Sequence, residues 1–251
     1  MLQSSCRYQV WNRKMLVLIH IWIAVSLYTL FHPTTHSFWQ KIDDVTFQAL
    51  NQTLSWGKGW QIFWALANHK IADWVEDIVI LIFFWLYIRS GSKEEKTYRI
   101  SQMLLMIFIS AFVIFFVNKT LLRDNVDIIR LSPTLVTANS IKLSEHITWL
   151  KIKDGSNRSF PGDHATTALL FGLTFVFLGS KKLKTLAALY AIFLCLPRMI
   201  LGAHWVTDVL IGSGAIVLFF LSWLYFTPLS HKLCSRIASI FNKQSIHTVE
   251  F

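Results

Sequence analysis

The sequence predicts an all-α polytopic membrane protein, a bundle of six transmembrane helices, on three observations. Of its 251 residues, 54% are hydrophobic and 15% are charged, where a soluble domain of this size carries about 25% charged residues. The apolar residues gather into runs of about 17–25, long enough to cross a bilayer. Lysines and arginines fall in short groups between these runs, the pattern that orients helices in a membrane. The net charge of +10 therefore reads as topology and argues against nucleic acid as a partner. No long polar stretch remains for a second domain, so residues 1–251 are expected to form one membrane domain.

The expected spans, in order, are 15–31, 71–88, 100–122, 163–180, 183–201 and 205–226. The first follows Arg13-Lys14, as a signal peptide would follow a basic flank. No small-x-small cleavage site comes after it, so it is read as an uncleaved span. His20 within it is read as a hydrogen-bonded packing residue. Residues 32–70 carry Trp39, Trp56, Trp60 and Trp64, which suit the membrane interface. Asp73, Glu76 and Asp77 open the second span. Their spacing could hold a cation, but complementing the helix N-terminus or pairing with arginines is the plainer reading, and no metal is assigned. The fourth span begins at the Pro161-Gly162 turn. Residues 228–251 form a basic tail suited to anionic headgroups. Cys6, Cys195 and Cys234 show no metal-binding spacing and no pairing pattern.

Orientation follows from the basic residues. Arg7, Arg13 and Lys14, the group Arg89, Lys93, Lys96 and Arg99, the group Lys181, Lys182 and Lys184, and the tail from Lys232 all fall on one side of a six-span chain. That side, with both termini, is expected to be cytoplasmic. Residues 32–70, 123–163 and the turn at 202–204 are then outside.

Three outer clusters could carry chemistry. "SFPGDHA" at 159–165 places Asp163 and His164 at a helix mouth behind a Pro-Gly turn. Free backbone N–H groups and the helix dipole attract phosphate there, although a histidine at such a place is commonly a solvated cap. "PRMILGAHWVTD" at 197–208 holds Arg198, His204 and Asp208. If the helix has already begun, His204 and Asp208 share a face, and Asp208 can orient the imidazole as a nucleophile or base. An Arg198–Asp208 pair locking a helix hairpin is the alternative. "KTLLRDNVDIIRLSP" at 119–133 supplies Lys119, Arg123 and Arg130. These could grip phosphate or pair with Asp124 and Asp127 in a solvated loop. Two histidines with several arginines on one side suit phosphoryl transfer through a phosphohistidine.

The order Arg-x6-Arg, Pro-x-x-His, Arg-x5-His-x3-Asp resembles the type 2 phosphatidic acid phosphatase superfamily over roughly residues 60–230. The third motif matches at Arg198, His204 and Asp208. The resemblance implies His204 as nucleophile, Asp208 as its orienting acid and His164 as general acid. Arg123, Arg130, Arg198 and Gly162 would bind phosphate, with no metal and no cofactor. Three positions depart from the usual pattern. Arg123 stands where lysine is usual, with Lys119 its rival. Gly162-Asp163 replaces Ser-Gly before His164, and Pro197 replaces serine before Arg198. "SPTL" at 132–135, "SFPGDHA", "GAHWVTD" at 202–208 and "TPLS" at 227–230 resemble the lipid A 1-diphosphate synthase subgroup of Gram-negative inner membranes. That resemblance implies transfer of the distal phosphate of undecaprenyl diphosphate to lipid A on the periplasmic face. Asp163, shared with the subgroup, is a candidate for acceptor selectivity. A non-catalytic lipid-binding protein is the reading from another class.

The topology is testable with single cysteines in intact cells. An impermeant maleimide should label a cysteine at Asn139 directly and one at Lys93 only after lysis; the reverse pattern would invert the orientation.

Overall fold

The computed structural model describes residues 11–247; Cys6, Arg7 and residues 248–251 of the expected tail lie outside them. The chain is helical almost throughout. Helix α1 (Arg13–Phe31) leads into α2 (Pro33–Gln52), a short 3-10 turn (Thr53–Trp56) and α3 (Lys58–Ala67). Helix α4 (Lys70–Arg89) is followed by α5 (Lys93–Phe112), which continues as a π-helix over Val113–Asn125. Two single-turn helices, α6 (Pro133–Val136) and α7 (Leu143–His146), punctuate the next loop. Then come α8 (Asp163–Leu178), α9 (Lys181–Ile200), a π-helical segment Asp208–Ser213 running into α10 (Gly214–Tyr225), and α11 (Leu229–His247).

Four helices among the described residues are long and apolar enough to cross a membrane: Arg13–Phe31, Lys93–Asn125, Lys181–Ile200 and Asp208–Tyr225. The other two expected spans are helical as well. In α4, Asp73, Glu76 and Asp77 interrupt the apolar run, and α8 has 16 residues. Helix starts carry the expected caps. Asn12 accepts from the Met15 N–H at 3.2 Å, Ser92 and Glu95 form a capping box on α5, and the Ser180 hydroxyl caps α9.

Helix α8 is the axis of the bundle. Its Leu170 packs with Leu105, Met106, Ile109 and Val113 from the α5 rod and with Val217 and Leu221 of α10. Its opposite flank, Phe171 and Phe175, packs with Phe84 and Tyr87 of α4 and with Ala187 and Ala191 of α9. Around this core a belt of large apolar side chains faces outward, among them Leu18, Ile21, Leu81, Phe108, Phe115 and Ile192. Such a belt belongs against lipid, which offers it the solvent that water does not. His20 accepts from the Trp223 indole N–H at 3.1 Å and bonds to the Leu16 carbonyl at 2.8 Å, a helix-packing role. Cys195 and Cys234 are buried free thiols.

Helices α8 and α9 approach closely at Gly172, where an added Cβ would lie 2.7 Å from the Ala191 Cβ. Both atoms are fixed to backbone, so neither can yield. Gly172→Val should therefore cost about 1–3 kcal/mol by overpacking, read as a lowered thermal midpoint in detergent. An unchanged midpoint would mean the two helices sit farther apart.

Candidate active site

The ends of four helices meet on one side of the bundle. They are the π-helical end of the α5 rod, the start of α8, the end of α9 and the start of the segment that runs into α10. A π turn bonds each residue to the fifth one back, and two side chains reinforce that register. The Thr120 hydroxyl donates to the Phe115 carbonyl at 2.9 Å, and the Asn125 amide donates to the Thr120 carbonyl at 2.8 Å. The wide turn stacks residues five apart, which would diverge on an α-helix of 3.6 residues per turn. Asn118 and Arg123 consequently converge on Asp163. The amide of Asn118 donates to Asp163 Oδ1 at 3.1 Å, and Arg123 Nη2 donates to Asp163 Oδ2 at 2.8 Å. Lys119 is exposed, and Arg123 is the basic residue brought to the α8 mouth.

Asp163 is the first residue of α8. The Gly162 carbonyl is pinned by the Thr166 N–H at 2.9 Å and by the hydroxyls of Thr166 at 2.8 Å and Ser213 at 2.9 Å. The Gly162 Cα faces His204: a Cβ there would stand 3.5 Å from the ring. His164 lies beside α4 and α9. Its Nε2 is 2.8 Å from Arg198 Nη2 and 3.3 Å from Asp73 Oδ1. A guanidinium only donates and a carboxylate only accepts. The same nitrogen thus takes a bond from Arg198 when bare and gives one to Asp73 when protonated, which suits a group that passes a proton back and forth. Arg198 is held in place by Asn68, through its backbone carbonyl at 2.9 Å and through a short bond to its side-chain oxygen. Asp73 therefore pairs with the site, as the plainer reading of the acidic trio had it, at 3.4 Å from Arg198.

The turn from Arg198 to Asp208 is tight. The Arg198 carbonyl accepts from the N–H groups of Ala203 at 2.9 Å and His204 at 3.2 Å. Gly202 sits at φ +77, and a Cβ there would meet Thr134 at 2.5 Å and the Phe47 ring at 2.7 Å, so only glycine fits. Helix resumes at Val206, after His204. This corrects the expected pairing, because His204 and Asp208 do not share a helical face. Asp208 Oδ2 folds back to accept from the Trp205 N–H at 2.8 Å, and it lies 3.8 Å from His204 Nδ1. His204 Nδ1 is instead 2.6 Å from the Ser159 carbonyl. A carbonyl can only accept, so Nδ1 carries a proton, and in the neutral ring the lone pair is on Nε2.

The other Asp208 oxygen takes a short bond from Arg130 Nη1, and Arg130 Nη2 donates to Asp43 Oδ2 at 2.6 Å. Asp208 is 0% exposed and Asp43 1%. Burial pushes the Asp43 carboxyl up from its usual range, while the hydrogen bonds from Thr207 and the charge of Arg130 pull it back. Asp43, Asn68, Asn118 and Ser159 were missed by sequence reasoning. Asp43 had one usable signal: with Phe47 and Asn51 it forms a face of α2 at four-residue spacing.

Residues 102–232 match the model of the PAP2 superfamily. Lipid A 1-diphosphate synthase of Escherichia coli (strain K12) is 30% identical over 226 residues, covering 88% of this chain and 91% of that protein. A crystal structure of a transmembrane PAP2-type phosphatidylglycerolphosphate phosphatase from Bacillus subtilis is similar with a TM-score of 0.47 and 19% identity, over 82% of this chain and 93% of that one.

Arg130→Ala would strand two buried carboxylates against each other, and removing one partner of a buried pair costs about 3–5 kcal/mol. The variant should unfold at lower temperature than an Arg123→Ala protein, whose pair is about one-third exposed on each side. Equal midpoints would show that Arg130 is not clamped as described.

Proposed function

We propose a reaction for this site from one premise: the chain belongs to the PAP2 superfamily, and is a membrane enzyme that moves phosphate on or off lipids. The proposed reaction is transfer of the distal phosphate of undecaprenyl diphosphate to the 1-phosphate of lipid A, through a phosphohistidine, on the periplasmic face of a Gram-negative inner membrane. The observation that carries the mechanism is the Nδ1–H bond from His204 to the Ser159 carbonyl, which leaves Nε2 bare. The similarity to a relative named lipid A 1-diphosphate synthase supports the choice of acceptor.

In the first step His204 Nε2 attacks the distal phosphorus. The bond from phosphorus to the bridging oxygen breaks, and His164 gives its proton to the departing lipid phosphate. In the second step an oxygen of the acceptor phosphate attacks the phosphohistidine, with His164 accepting any proton it carries, and His204 is regenerated. Arg123 and Arg198, with the N–H groups at the start of α8, supply positive charge to the equatorial oxygens. Asp163 already occupies Arg123, so an incoming phosphate must compete with it. We assign it a part in selecting between acceptors on that ground.

The test uses purified protein and donor labelled on its distal phosphate, with and without lipid A. Label should appear at the 1-position of lipid A and pass through an acid-labile, base-stable protein adduct that His204→Ala abolishes. His164→Ala should slow turnover about 10²–10⁴-fold without preventing the adduct. Release of label only as free phosphate would make the enzyme a phosphatase, and lipid binding without turnover would make it a binding protein.

A further inference from the structure

The outer helix α2 lies outside the segment matched to the superfamily, yet one of its faces is built into the site. Three buried residues on that face dock on the 200–208 turn. The Asn51 amide donates to the Ile200 carbonyl at 3.0 Å. The Phe47 ring stands edge-on to Trp205 with centroids 6.0 Å apart. Asp43 accepts three hydrogen bonds. Arg130 Nη2 and the Thr207 hydroxyl each reach its Oδ2 at 2.6 Å, and the Thr207 N–H reaches its Oδ1 at 3.0 Å. Thr207 is 2% exposed and precedes Asp208.

We propose that Asp43 is a positioning residue of the transfer reaction: it fixes Arg130 against Asp208 and so holds the turn that presents His204. The proposal rests on the reading of His204 as nucleophile. Arg130 here is a strut more than a phosphate clamp. One N–H on each of its terminal nitrogens is committed to a buried carboxylate, and its single positive charge faces two negative ones. The trio carries a net negative charge at the floor of a site that must admit phosphate. Asp43 thus has two opposed effects. It aligns the nucleophile and it weakens the pull on the anion.

That opposition separates the proposal from a merely structural role. In full-length enzyme, Asp43→Asn should lower kcat about 100-fold through misalignment of the turn. Inorganic phosphate, which occupies the site without bonding to His204, should bind as tightly as to wild type or up to about tenfold tighter, because one negative charge is gone. In an Arg130→Gln background the same change should cost little further turnover, since the strut is already lost. Thr207→Val keeps the backbone N–H and the side-chain volume. It should lower kcat about tenfold with a smaller drop in thermal midpoint than Asp43→Asn, since Asp43 keeps its other two hydrogen bonds, which guards against an Asp43→Asn protein that fails to fold. Unchanged kcat in either single variant overturns the proposal, as does a parallel loss of phosphate binding and kcat. Turnover is read with whatever acceptor the wild type uses, water included, so failure of the lipid A reading leaves the test standing. A His204→Ala control that retains activity overturns the assignment of the nucleophile and this proposal with it.

Discussion

One buried arrangement organises the rest of the site: a guanidinium between two carboxylates. Arg130 lies between Asp43 and Asp208, both essentially without solvent exposure. Two carboxylates cannot stay ionised side by side in such surroundings unless a cation with forked geometry sits between them, and arginine supplies that fork. Through it three distant pieces of chain are held together: the outer helix α2, the loop after the long α5 rod and the start of the π-helical segment that runs into α10. The turn that carries His204 is stretched between these anchors. The Ser159 carbonyl then fixes the ring of His204 from the opposite side. Breaking the central bridge would leave the catalytic groups present but without a common frame.

The expected spans were legible because hydropathy defines them. Each apolar run expected to cross the bilayer is helical, and the site residues of the three motifs lie together at one end of the bundle. What spacing could not show was the partner of each group. His204 and Asp208 stand four apart, which on a helix would pair them. The helix starts two residues after His204, so Asp208 turns to the Trp205 N–H and to Arg130. The choice between Lys119 and Arg123 depended on a π register that residue spacing does not announce. Ser159 contributes a backbone carbonyl, which no residue type announces. Asp43 binds Arg130 across 87 positions of sequence, far beyond any local pattern.

The two π-helical segments explain how a straight membrane bundle yields a curved site. Each lies at the end where the motif residues gather, Val113–Asn125 before the loop and Asp208–Ser213 after the His204 turn. Widened turns are common at functional sites because they re-aim side chains without ending the helix. In the first, Asn118 and Arg123 both swing onto Asp163. In the second, Ser213 reaches back to the Gly162 carbonyl and ties the start of α8 to the segment that runs into α10.

The Asp43–Thr207 contact spans 164 positions of sequence, and that distance has a consequence for biosynthesis. Helix α2 emerges early from the ribosome, but the turn it must clasp is made only when most of the chain has been synthesised. Contacts of such long range form late in folding. A nascent or truncated chain therefore carries no assembled phosphoryl-transfer centre, and enzymatic competence arrives in one step, when the final helices insert and close against the first third of the molecule.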